Sequence, residues 1–431
     1  MDHGSIQQIL PMTDTCPTRP FDPAWSRPQF PALQRSIGGE AAVFFDGPAG
    51  SQTPQRVLDA ISDYLVRMNA NHGGLFPTSQ ASDELLHEAH RGLADFLGAD
   101  DLDCIVFGAN MTSLTFAISR SLARTWKPGD EILVSRLDHD ANVSPWVLAA
   151  QDAGATVRHI EIRRDDCTLD MEDFHSKLGP RTRLVAVGAA SNAVGTINPI
   201  AEISRAAHDA GALVYCDAVH YAPHGRIDVS TLDCDFLVCS AYKYFGPHVG
   251  VLWARRELLE ELPAYKVRPA PNAIPGRWMT GTQNHEGIAG TLAAVEYLAD
   301  LGRTFGPAGA DRRSALDAAF HAIVGYEQHL VNRLITGLTD RPEITIWGIT
   351  DSARKAERVP TLGITHSNLT PTELAQTLAD QSIFVWHGNF YALPLTEALG
   401  LEPEGMVRIG LLHYNTEEEV DRLLSTLDEI G

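Results

Sequence analysis

Between residues 100 and 255 the chain alternates short, continuous apolar runs with stretches of helical periodicity. The runs are Cys104-Ile-Val-Phe, Glu131-Ile-Leu-Val, Thr156-Val-Arg-His-Ile, Leu184-Val-Ala-Val, Ala212-Leu-Val-Tyr-Cys, Phe236-Leu-Val-Cys and Val249-Gly-Val-Leu-Trp. Strands apolar at nearly every position are covered on both faces, which is the habit of a mostly parallel sheet between helices. The spacing predicts helices over 112–125 and 200–210. Ahead of them it predicts 54–68, with Pro54 at its start, and 82–97, with Asp83 and Glu84 in its first turn. The return at 246–253 reads as a hairpin, hence one antiparallel strand beside 236–240. Residues 286–336 read as long helix. Beyond them Ile344-Thr-Ile-Trp, Pro360-Thr-Leu-Gly-Ile-Thr, Ile383-Phe-Val-Trp and Met406-Val-Arg-Ile-Gly read as strands, with helices over 370–381 and 416–430. The expectation is an α/β protein: a seven-stranded, mostly parallel large domain over 26–310, its N-terminal segment partly joining a small α+β domain over 311–431. Residues 1–25, rich in Pro, Thr and Asp, read as an arm.

Composition narrows the function classes. With 44% apolar and 21% charged residues the chain is globular in type, and 431 residues can bury a sizeable core. No run of 18 apolar residues predicts a membrane span. Met1-Asp-His-Gly-Ser lacks the basic-then-apolar pattern of a secretory leader, so the expected location is cytoplasmic. A net charge of −21 argues against nucleic acid and anionic membranes as partners. Six scattered cysteines suit reduced, buried thiols, and no Cys/His group has zinc spacing, so no metal is expected.

The chemistry concentrates at strand ends, where open parallel sheets bind ligands. Ser240-Ala-Tyr-Lys243-Tyr places a lysine at the lip of an apolar strand. An ammonium there is costly unless it is used, and a Schiff base to a carbonyl cofactor such as pyridoxal phosphate would use it. A lysine whose stem packs and whose head reaches water is the plainer alternative. Asp217 ends another strand and could face a pyridine nitrogen. Asn192 could bond a phenolic oxygen, and His139 could lie flat on a ring. Gly108-Ala-Asn-Met-Thr112 opens a helix whose N–H groups could hold an anion. Each alone is more often a helix cap than a ligand; together they suit one cofactor.

With those residues in place, the chain resembles the class V aminotransferase family, and within it the cysteine desulfurase-like branch. The matching stretches include Asp138-His-Asp-Ala-Asn142, Ser191-Asn-Ala-Val-Gly-Thr-Ile-Asn-Pro199, Tyr215-Cys-Asp-Ala-Val-His220, Ser240–Gly250, Gly281-Thr-Gln-Asn284 and Val407-Arg-Ile-Gly410. The resemblance implies a fold-type I pyridoxal 5'-phosphate enzyme, a homodimer with shared active sites and an amino-acid substrate. It implies Lys243 as the cofactor lysine, Asp217 behind the ring nitrogen and His139 on the ring. Asn192 and His220 would lie at the phenolic oxygen, and Met111, Thr112, Ser240 and Tyr242 at the phosphate. Thr282 would reach the phosphate of the other subunit, and Arg408 would clamp the substrate carboxylate. His72, Asn389 and Tyr391 are further substrate-side candidates.

One departure matters. Cysteine desulfurases that form a persulfide carry a loop cysteine, and the corresponding segment here, His387-Gly-Asn-Phe-Tyr-Ala-Leu-Pro394, has Tyr391 at that place; no cysteine follows Cys239. Tyr391 is either a packing aromatic or a phenol acting near the reacting carbons. The expected reaction is C–S β-elimination from cysteine or a cysteine S-conjugate. The alternatives are a decarboxylating aldolase or deaminase of specialised metabolism, and a pyridoxal phosphate-binding module without turnover.

Overall fold

A computed structural model of the protein describes residues 19–430, so most of the expected arm lies outside the described residues. Its described end packs down: the Phe21 ring lies 5.1 Å from Phe305 and 5.0 Å from Tyr326.

The seven apolar runs form one sheet: β1 (Ile105–Gly108), β2 (Glu131–Ser135), β3 (Thr156–Ile160), β4 (Thr182–Gly188), β5 (Leu213–Asp217), β6 (Phe236–Ser240) and β7 (Gly250–Ala254). Their spatial order is β1-β7-β6-β5-β4-β2-β3. β7 is antiparallel to β1 and β6, as the hairpin pattern predicts, and the other pairs are parallel. Successive side chains alternate between two cores: Leu133, Val185 and Val187 face one, while Ile132, Val134, Leu184 and Ala186 face the other. Because β1, β2, β4, β5 and β6 run in one direction, their carboxyl ends share one sheet edge, where the polar strand-end residues converge.

Helices α1 (Gln55–Arg67), α2 (Pro77–Leu97), α3 (Met111–Ala123), α4 (Ser144–Ala153) and α5 (Ile200–Asp209) belong to this large unit. α2 starts five residues before the predicted 82. Pro77 occupies its first turn, where a missing N–H costs nothing, so Asp83 and Glu84 are not first-turn residues. The predicted helix over 286–336 is two, α6 (His285–Phe305) and α7 (Arg312–Thr339). The Asp311 side chain restarts the helix by accepting the Ser314 N–H at 2.8 Å. The two helices cross where a Cβ on Gly302 would sit 1.7 Å from the Ala315 carbonyl oxygen, so only glycine allows the contact.

The small unit is an antiparallel sheet of β8 (Ile344–Trp347), β9 (Thr361–His366), β10 (Trp386–Gly388) and β11 (Met406–Gly410), in the order β8-β9-β11-β10. α8 (Pro371–Asp380) and α9 (Glu417–Ile430) pack on it through Leu374, Leu378, Val420 and Leu423. A parallel pairing of Val43–Phe44 with Ile383–Phe384 ties the N-terminal segment to this unit. No helix among the described residues is long and apolar enough to cross a membrane.

Candidate active site

After β6 the chain enters a single turn, Ala241–Lys243, which tips Lys243 into a cavity of about 560 Å³ between the sheet edge and the small unit. Lys243 Nζ donates to the Pro48 carbonyl oxygen and, among the described residues, forms no ion pair. Burial and the nearby Arg408 charge lower its pKa from 10.5 to about 7, with Asp217 and Asp46 offsetting part of the effect. The expected lysine is therefore an amine that gives up its proton near neutrality.

Asp217, the last residue of β5, is buried and accepts the Val219 N–H at 2.8 Å. Burial raises its pKa to about 6, so it is still a carboxylate at neutral pH. Across the ladder stands Gly188, where a Cβ would come within 2.6 Å of Asp138 Oδ1. That vacancy lets Asp138 tuck under His139. Asp138 takes the Ser135 hydroxyl and, at 3.4 Å, the Asn142 amide, which pins the turn Asp140–Asn142. His139 accepts the Ala141 N–H on Nδ1 at 3.0 Å. Burial, helped by Lys243 and Arg408, lowers its pKa to about 4, so it presents a neutral ring to the cavity.

α3 points its N-terminus at the same space. Asn110 caps it by accepting the Ser113 N–H at 2.9 Å, and the Met111 N–H donates to Ser240 Oγ at 3.0 Å. Met111, Thr112 and Tyr242 line the cavity, while Ser240 lies just beneath the lining. A Cβ on Gly250 would lie 2.4 Å from the Asn110 carbonyl carbon, so β7 needs a glycine for the cap to sit this low.

The small unit supplies the opposite wall. Arg408, on β11, is buried. Burial depresses its pKa to about 9, although Asp46 and Tyr242 oppose this. It donates to the Asn192 carbonyl oxygen at 2.9 Å and lies 4.3 Å from the Phe390 ring centroid. Its Nε is buried without a partner among the described residues. Asn192 spends an amide N–H on the Phe390 carbonyl oxygen (2.9 Å) and leaves its Oδ1 orphaned. Phe390 and Tyr391 both have left-handed backbone, with φ of 57° and 58°. Tyr391 stacks on His139 at 5.4 Å, its carbonyl takes the Asp140 N–H at 2.7 Å, and the residue is 72% exposed. Asn389 also lines the cavity and caps Tyr391 N–H at 3.2 Å.

Two candidates lie elsewhere. His72 is exposed beside Asp83, 3.9 Å away, and Thr282 is exposed on the turn at Gly281; neither lines the cavity of its own chain. Sequence reasoning missed Asp46, whose pKa burial raises to about 6, and the lining residues Pro48, Asp138, Trp386 and Phe390. Asp46-Gly-Pro after the apolar Val43-Phe-Phe was a readable strand-end signal, as was the carboxylate directly before His139. A larger cavity of about 750 Å³, lined by Tyr221, His224 and Glu327 among others, has no lysine in its wall, which leaves the chemistry to the smaller one.

Residues 43–423 match the family model described as Aminotransferase class-V. The chain belongs to the class V aminotransferase family. A cysteine desulfurase of Dickeya dadantii is 32% identical over 419 residues, covering 94% of this chain and 95% of that one. The aminotransferase-like protein FGM3 of Gibberella zeae is 34% identical over 414 residues, with 94% and 97% covered. The apo structure of a cysteine desulfurase from Thermococcus onnurineus superposes with a TM-score of 0.85 at 28% identity, covering 96% of this chain and 99% of that one. The cysteine desulfurase CsdA of Escherichia coli gives 0.81 at 27%, with 95% and 98% covered. This class V protein is a pyridoxal 5'-phosphate-dependent enzyme of the cysteine desulfurase-like kind. The cavity suits that cofactor: it holds a buried amine, a buried strand-end carboxylate, a flat neutral imidazole and a helix start, and its wall carries the two orphaned polar atoms on Asn192 and Arg408.

Proposed function

We propose that the enzyme is a C–S β-lyase acting on cysteine or, preferably, a cysteine S-conjugate: the conjugate and water give pyruvate, ammonia and a thiol. The observation that carries this reading is the pairing of a proton-accepting Lys243 with a cavity wall free of thiols. The lining residues include no cysteine, and the five described cysteines are all buried. Persulfide transfer needs an accessible thiolate, whereas β-elimination does not.

Pyridoxal phosphate, when bound, supplies an electron sink for the bond broken at Cα. Lys243 Nζ would hold the cofactor and take the proton at substrate Cα; a pKa of about 7 leaves the amine free to do so near neutrality. Asp217, ionised above about 6, would hold a proton on the cofactor's ring nitrogen. Arg408 clamps the substrate carboxylate with the donors it has to spare. His139 would lie against the cofactor ring, and the Met111–Thr112 helix start with Tyr242 would hold the phosphate. The exposed aromatic rim of Trp386 (51%) and Tyr391 supports a substituent larger than a bare thiol. A homodimer is part of the same proposal, supported by the exposed apolar residues Leu58, Val66, Leu75 and Phe76 on and after α1.

The test is to incubate the holoenzyme with cysteine and with S-alkyl and S-aryl cysteines and to follow pyruvate, thiol, ammonia and CO₂. Pyruvate and thiol in equal amounts support the lyase. CO₂ without pyruvate, or a persulfide on the protein, would refute it.

A further inference from the structure

His220 sits in the cavity wall three residues after Asp217 and is held neutral, chiefly by burial. A neutral imidazole has two tautomers, and they present opposite hydrogen-bonding character at each nitrogen. Nε2 lies 3.0 Å from Thr361 Oγ1. Thr361 is fully buried at the start of β9, and among the described residues His220 is the partner its hydroxyl has. If Nε2–H donated to that hydroxyl, the hydroxyl proton would be buried with no acceptor, an arrangement folded chains avoid. If the hydroxyl donates to Nε2, both groups are satisfied and the ring proton moves to Nδ1. Nδ1 has no partner among the described residues, so its N–H is offered to the contents of the cavity.

Thr361 is itself held still. Arg358 is buried, has no carboxylate partner among the described residues and spends its donors on the backbone carbonyls of Ile349, Val359, Val194 and Thr361. This clamp fixes the start of β9 against the large unit. We propose that Thr361 is a positioning residue, its hydroxyl locking His220 in the Nδ1–H tautomer so that the wall beside Asp217 donates a hydrogen bond to the ring oxygen of the bound cofactor. The proposal rests on the pyridoxal phosphate reading of the cavity. It also means that a residue of the small unit, never touching the cofactor, sets the hydrogen bond the large unit makes to it.

The test is a pH titration of the holoenzyme's visible absorbance, made on wild type, Thr361→Val and Thr361→Ser, each also in a His220→Gln background. His224, Lys243, Arg408 and Asp217, the titrating groups around His220, stay constant across the threonine series. Thr361→Val removes the hydroxyl proton that occupies Nε2, so the Nδ1–H tautomer loses its bias and the weakened donor raises the apparent pKa of the band by up to about one unit, the size of one hydrogen bond. Thr361→Ser restores the wild-type value. In the His220→Gln background the valine has no effect, because an amide has no tautomer to lose. A valine variant that titrates as wild type, a serine variant that shifts as far as valine, or a shift that survives in the glutamine background would each overturn the proposal. Thr361→Ala replaces valine if thermal melting shows the valine variant unfolded. A wild-type chain with no visible band after loading would remove the cofactor assignment instead, which keeps the two failures apart.

Discussion

Replacing Arg408 with glutamine keeps most of the reach of the side chain and removes its charge. In the native chain the guanidinium spends one donor on the Asn192 carbonyl, leans on Phe390 and keeps Nε unpaired. The spare donors match a carboxylate. Truncating one partner of a buried, hydrogen-bonded charge pair costs about 2–5 kcal/mol, so kcat/KM for a substrate with a free α-carboxylate should fall roughly 30-fold to several thousand-fold. Most of the loss should appear in KM, because the carboxylate is gripped before and during the reaction alike. The control is an analogue of the same S-conjugate lacking the carboxylate, whose already slow turnover should barely change. Arg408 is also the foremost charge holding the Lys243 pKa down. Without it that pKa rises, less free amine is present at neutrality, and the acid limb of the kcat profile should move to higher pH. Equal losses on both substrates, with an unmoved acid limb, would place the carboxylate clamp elsewhere.

Lys243→Met should abolish the visible band and turnover while stabilising the cofactor-free chain. The folded pKa of about 7 lies below the ordinary 10.5, so the cost of the charge is fully present below pH 7 and fades between 7 and 10.5. Denaturant melts should show a gain of at most about a few kcal/mol at pH 6 that shrinks towards pH 10; a constant gain would contradict a shifted lysine. Gly250→Ala forces its new methyl against the Asn110 backbone and should cost about 1–3 kcal/mol, with pyridoxal phosphate affinity falling as the α3 cap is displaced. Equilibrium dialysis and thermal melting report both, and unchanged binding would detach that helix start from the phosphate. The thiols of Cys104, Cys167 and Cys239 are buried with pKa values pushed up to about 12. They should resist alkylation until the chain unfolds, and peptide mass spectrometry after incubation with cysteine should find no sulfur added to them.

The large unit was legible because its strands are apolar on both faces, so Phe236-Leu-Val-Cys could hardly be anything but a covered strand. Helix limits were less so. Pro77 is a start signal of the same kind as Pro54, masked by the acidic pair Asp83–Glu84 further on, and Gly306-Pro-Ala-Gly309 is the readable break that splits 286–336 into α6 and α7. The candidate site was readable where one strand end carries one polar residue, as with Asp217 and His139. It was not readable where the small unit folds over. Thr361, Phe390 and Trp386 reach the cavity or its wall through tertiary packing, which leaves no local pattern in the chain. His72 and Thr282 came from the resemblance and the Gly-rich segment, and both are exposed and do not line the cavity of their own chain.

The left-handed pair Phe390–Tyr391 has an implication for traffic through the entrance. Bulky residues in that conformation store about 1–3 kcal/mol each, and the catch that keeps them cocked runs through Asn192, Asp140 and the face of Phe390 under Arg408. Arg408, whose guanidinium lies on that face, is also the group proposed to take the substrate carboxylate. A carboxylate that drew Arg408 off the Phe390 ring would therefore loosen this loop as it docked, so the strain held at 390–391 would count towards binding.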